Sequence, residues 1–85
     1  MRKRSPVYRG TEQVVENEYL TDALARDAVA FIDRHHEHPF FLYVPFNAVH
    51  DPLEAPEKLN EQFPEAESDD WQSYLGMTSA LDNAV

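Results

Sequence analysis

Eighty-five residues make one small domain at most, and a core of that size stabilises itself only marginally. The chain has no cysteine, which removes disulfides, thiolate metal sites and cysteine nucleophiles together. Sixteen carboxylates stand against seven lysines and arginines, for a net charge of −9, and four of those cations (Arg2, Lys3, Arg4, Arg9) fall in the first ten positions. Such acidity argues against a nucleic-acid surface, which needs clustered cations to displace counterions, and leaves the basic N-terminus at most a short arm for polyanions. No apolar run approaches the ~20 residues of a membrane span.

Residues 1–18 read as an irregular, basic N-terminal segment. Pro6 and Gly10 punctuate it, and Gln13-Val14-Val15 supports a short extended piece at best. Its Met1-Arg2-Lys3-Arg4-Ser5-Pro6 start has the charge of a signal peptide but no apolar stretch follows, so the compartment stays open. Periodicity begins at residue 19. Leu20, Leu24, Ala28, Phe31 and Ile32 recur on one helical face, with Thr21 as the expected N-cap and Asp22 in the first turn, where a carboxylate suits the positive end of the helix dipole. The helix must stop before Pro39, which disfavours helical geometry in its predecessor. His35, His36 and His38 cluster at this end. Only His35 and His38 have a ligand-like helical step, and histidines suit a helix C-terminus without any metal.

Phe40-Phe41-Leu42-Tyr43-Val44 follows with almost no loop. A wholly apolar run bounded by prolines has the pattern of a strand buried on both faces. A helix feeding straight into such a strand is half of a βαβ unit and implies a parallel sheet. The other strands are not in this sequence, so the chain reads as a partial α/β fold: helix, one buried strand, short helix, C-terminal helix. After the strand, Pro45-Phe46-Asn47-Ala48-Val49-His50-Asp51-Pro52-Leu53 forms a proline-stiffened loop with His50 beyond the strand's carboxyl end. Ligands of open α/β sheets bind at that end. Asn47 is expected to close an Asx turn, and Asp51 to help orient the imidazole. A short helix runs from Glu57 to Phe63, opened by Pro56 and ended by Pro64. The last helix starts near Asp70, capped by Ser68, Asp69 or Asp70, with Trp71, Tyr74, Leu75, Thr78, Leu81 and Val85 as its stripe. Gly76 within it costs up to ~1 kcal/mol against alanine, which points to close packing on a neighbour.

Taken together, Tyr19-Leu20-Thr21-Asp22, the Pro39-Phe40-Phe41-Leu42-Tyr43 strand and the Asn47-Ala48-Val49-His50-Asp51-Pro52-Leu53 loop closely resemble the middle of the sulfatases, the sulfuric ester hydrolases. Val49 departs from that pattern, standing where a proline usually precedes the histidine. The resemblance covers nearly all of the chain, with residues 19–85 as the partial sulfatase domain, and implies an internal fragment of an alkaline-phosphatase-like α/β enzyme. It also implies that His50 contacts the sulfate group of a sulfate ester substrate. The family's cofactors, calcium and a formylglycine made within a Cys/Ser-x-Pro-x-Arg motif, have no ligands or precursor here. Ser5-Pro6-Val7-Tyr8-Arg9 holds those letters in the wrong order. Asp82-Asn83 lacks the following glycine of the family's metal strand and lies on a helical pattern, where Ser79-Ala80-Leu81-Asp82 reads as a packing element. No catalytic or metal residue is therefore assigned, and the isolated chain is expected to be inactive. The alternatives are a fragment of a related phosphodiesterase or phosphonate hydrolase, and a non-enzymatic acidic module whose apolar strand pairs with a partner's sheet edge.

Overall fold

The computed structural model describes residues 6–85; the basic run 1–5, with Ser5 of the rearranged motif, lies outside them. Five elements follow in order: β1 (Val7–Arg9), β2 (Glu12–Val14), α1 (Leu20–His35), α2 (Glu57–Asn60) and α3 (Asp69–Ala84). A two-stranded sheet and three helices make this a small α/β structure.

The segment expected to be irregular holds a hairpin. β1 and β2 pair antiparallel, with Val7 opposite Val14 and Arg9 opposite Glu12. Gly10, at φ 63°, takes the first place of the two-residue turn, a backbone conformation that glycine adopts without steric cost. An isolated hairpin is marginal in water, and this one is fastened to α1 by charge. Arg9 bonds Asp27 at 3.3 Å. Arg26 meets Glu16 through both guanidinium Nη atoms at 3.1 Å, Glu18 at 2.7 Å and Asp27 at 3.1 Å. The Arg26 hydrogen bonds hold both the Glu16 and the Asp27 carboxyls below the ordinary carboxylate range.

Helix α1 forms as its apolar period requires but starts one residue before Thr21. Tyr19 occupies the N-cap without a side-chain cap bond, and Thr21 is 3% exposed, so the expected capping role is not the one it has. At the other end, His36 Nδ1 donates to the Asp33 carbonyl at 3.0 Å. The His35 ring lies 4.5 Å from that of Phe31.

Helix α3 begins where its cap demands: the Ser68 hydroxyl accepts from the Trp71 N–H at 3.1 Å. Its buried residues are Gly76, Met77 and Ala80, not the aromatic stripe. Trp71, Tyr74 and Val85 are exposed, and the two rings pair edge to face at 5.3 Å. The packing face is small because α3 is in contact with both α1 and α2, and close helix approach favours short side chains. Gly76 is the tightest point: a Cβ there would run into Asn60 Oδ1 and lie 3.0 Å from the Ala55 Cβ. The Gln72 amide ties the same corner together by donating to the Phe63 carbonyl at 3.2 Å.

Residues 40–44, expected to be a buried strand, are extended but are neither paired nor buried on both faces. From Phe41 to Ala48 exposure alternates strictly, with Leu42, Val44, Phe46 and Ala48 turned inward and Phe41 left 87% and Tyr43 75% exposed. Among the described residues no backbone–backbone hydrogen bond involves positions 39–55. The reason is local. A central strand needs neighbours on two edges and a layer on each face, and the residues here supply one partial layer. The radius of gyration, 15.0 Å, exceeds the ~12 Å of a compact domain of this length, as expected of elements gathered on one side only.

Candidate functional site

The loop that leaves the extended segment packs against the start of α1. Between them lies a cavity of about 560 Å³. Its floor and walls come from Tyr19 and Thr21 of the helix start, Asn47, His50 and Pro52 of the loop, and Met77 of α3. The peptide bonds before Val49 and before Pro52 are cis.

His50 is exposed on this wall. Its Nδ1 lies 2.8 Å from the Asp51 carbonyl oxygen. A carbonyl only accepts, so Nδ1 carries the hydrogen and donates it, leaving Nε2 as the ring nitrogen available to a ligand. Nε2 then accepts when the ring is neutral and donates when the ring is cationic. Asp51 thus orients the imidazole as its position in sequence implied, but through its backbone rather than its carboxylate. Asn47 lines the cavity and closes no Asx turn among the described residues.

A second anchor comes from a residue to which sequence reasoning gave no role. The Tyr19 hydroxyl donates to the Glu54 carbonyl at 2.7 Å. Burial raises the Tyr19 phenol above its ordinary value, so it keeps the proton it donates. The signal was present in the Tyr-Leu-Thr-Asp opening of α1, but nothing local in sequence reveals a bond across 35 positions.

Other sequence candidates fall away from this cavity. His35 and His36 are engaged at the C-terminal end of α1 by Phe31 and Asp33. Asp82 and Asn83 stand exposed near the end of α3. Among the described residues no three His, Cys, Asp or Glu side chains converge, so the groups present do not fit a calcium ion. No helix among the described residues is long and apolar enough to cross a membrane.

Comparison with known proteins places the site in context. The family model described as Sulfatase matches residues 1–85. Two solved structures of Ps i-CgsB, one of them in complex with k-i-k-neocarrahexaose, are similar to this chain at 40% identity with a TM-score of 0.85. In each case the match covers 94% of this chain and 18% of the other. The chain thus spans about a fifth of the length of the structures it matches.

Proposed function

This chain belongs to the sulfatase family, and from that premise we propose that it forms one wall of the active site of a sulfuric ester hydrolase, with His50 meeting the sulfate group of the substrate. The observation that carries the reading is the anchored imidazole: Nδ1–H is committed to the Asp51 carbonyl, which leaves Nε2 for a ligand, and His50 lines the cavity. Sulfate ester cleavage builds negative charge on the sulfuryl oxygens and on the leaving oxygen. A hydrogen-bond donor already aimed at those atoms lowers the barrier without reorganising. With Nδ1–H held, Nε2 donates only from the doubly protonated ring, so the contacting species is the imidazolium.

Among the described residues His50 is the one basic side chain lining this cavity. A sulfate group needs more positive charge than one imidazolium. The nucleophile, the metal ligands and the remaining cations of a sulfatase therefore belong to parts of the fold outside these residues. On this reading the 85-residue chain alone hydrolyses no sulfate ester. Turnover of a chromogenic aryl sulfate by the purified chain, abolished by His50→Ala, would overturn it. The saccharide bound by Ps i-CgsB favours a sulfated sugar as the substrate class.

The test is His50→Ala in the full-length enzyme. Losing a hydrogen bond to a charged group costs ~1.5–3 kcal/mol, so kcat/KM should fall at least about tenfold. The loss should be equal for every sulfate ester, because sulfate is their common part. His35→Ala, whose ring packs on Phe31, should change activity little. A change confined to the preference among esters, or a His35 effect as large as that of His50, would defeat the assignment.

A further inference from the structure

We propose that Tyr19 is a positioning residue for His50, clamping the far end of the histidine loop to the first turn of α1 and so fixing the wall from which the imidazole meets the sulfate. The inference rests on the reading of His50 given above.

The loop needs such a clamp. Between positions 39 and 55 the described backbone makes no backbone–backbone hydrogen bond, so neither sheet nor helix holds it. Pro45, Pro52 and Pro56 restrict its dihedrals, but stiffness does not fix where a loop sits. The His50 bond to Asp51 is local to the loop and sets the ring's orientation, not the loop's place on the protein. The Tyr19 phenol reaches it from another element, at 2.7 Å and four residues beyond His50.

Tyr19 also stands between two spaces. It lines the His50 cavity and a second one of about 620 Å³ bounded by Val7, Val14 and Glu16 on the hairpin side. Leu20, Asn47, Pro52 and Glu54 border both. Tyr19 and the backbone it holds thus form part of the partition that separates the two. Removing the Tyr19 bond to the Glu54 carbonyl takes away a contact that holds this partition and the loop in register, and a displacement of about 1 Å in a catalytic contact is costly to rate.

The experiment is a double-mutant cycle in the full-length enzyme: wild type, Tyr19→Phe, His50→Ala and the combination, each assayed on an aryl sulfate and a sugar sulfate. Tyr19→Phe removes one oxygen and keeps the ring, so the fold is retained. It should lower kcat/KM about three- to tenfold, the range of one neutral hydrogen bond. The loss should fall chiefly in kcat and equally on both esters, with the melting temperature little changed. On the His50→Ala background the same substitution should cost less than about twofold, because its effect is routed through the missing ring. An equal cost on both backgrounds, or none on either, would overturn the positioning role while leaving His50 standing on its own variant. A large drop in melting temperature with additive losses would also overturn it, marking Tyr19 as structural. If His50→Ala alone changes nothing, the reading of His50 fails, and the role of Tyr19 with it.

Discussion

The two halves of the run from Pro39 to Leu53 are adjacent in sequence and opposite in condition. The first half is the most apolar stretch of the chain, yet Phe41 and Tyr43 face water and its backbone is unpaired among the described residues. The second half is polar and irregular, yet it is fastened at His50 by Asp51 and at Glu54 by Tyr19. Apolarity records what a segment covers in the completed fold. Hydrogen bonds and close contacts record what is already settled by the residues at hand.

The sharpest way to test this contrast is to make the bare face polar. Phe41→Ser and Tyr43→Ser should each destabilise the full-length enzyme by about 3–5 kcal/mol, the range for deleting a buried aromatic ring, read by denaturant unfolding. In the 85-residue chain the same changes should stay within about 0.5 kcal/mol, as at other exposed positions, and should reduce self-association, read by sedimentation. A small effect in the full-length enzyme would mean that this face is surface in both settings, and the contrast would dissolve.

The anchored side is broken most directly at Gly76. Alanine there gains up to about 1 kcal/mol of helix propensity but overpacks against Asn60 and Ala55, which typically costs about 1–3 kcal/mol. Gly76→Ala should therefore be destabilising on balance, by chemical denaturation. A more stable protein would show that the corner of α2 and α3 yields freely.

The smallest effect concerns the charge clamp on the hairpin. Glu16 and Asp27 are both depressed by hydrogen bonds from Arg26. A depressed carboxyl contributes stability above its unfolded-state value and loses it as pH falls through the folded-state value. The hairpin should thus remain attached at neutral pH and loosen only below the ordinary carboxylate range. Because these pairs are largely exposed, added salt should weaken them too. Amide exchange at Arg9 and Glu12, the pair that closes the turn, between neutral and acid pH is the measurement; protection unchanged down to pH ~2 would remove the clamp from the account.

What could be read from sequence follows the same division. Helix α1, the Ser68 cap, the close approach at Gly76 and the loop position of His50 are written in local signals: period, capping chemistry, a glycine within a helix, and prolines. The face α3 buries was misread because large residues dominate a periodicity count, whereas a helix that approaches two neighbours closely presents Gly76, Met77 and Ala80. The hairpin escaped because three-residue strands carry too little alternation to register beside Gly10. The strand at residues 40–44 has a strand's alternation without a strand's bonds. Sequence encodes the inward and outward sides of that segment, but only neighbours in space supply its partners. The Tyr19 clamp was beyond local reading altogether.

That clamp gives the site a place in time. The bond joins positions 35 apart, so it closes only once the chain has doubled back. Closing so long a loop costs entropy before any contact rewards it. A contact made late in folding is absent from the folding barrier, and losing it speeds unfolding rather than slowing refolding. The wall that carries His50 is then among the last surfaces the chain acquires and among the first to slacken on warming. Heat would loosen this loop while the helices beside it still stood.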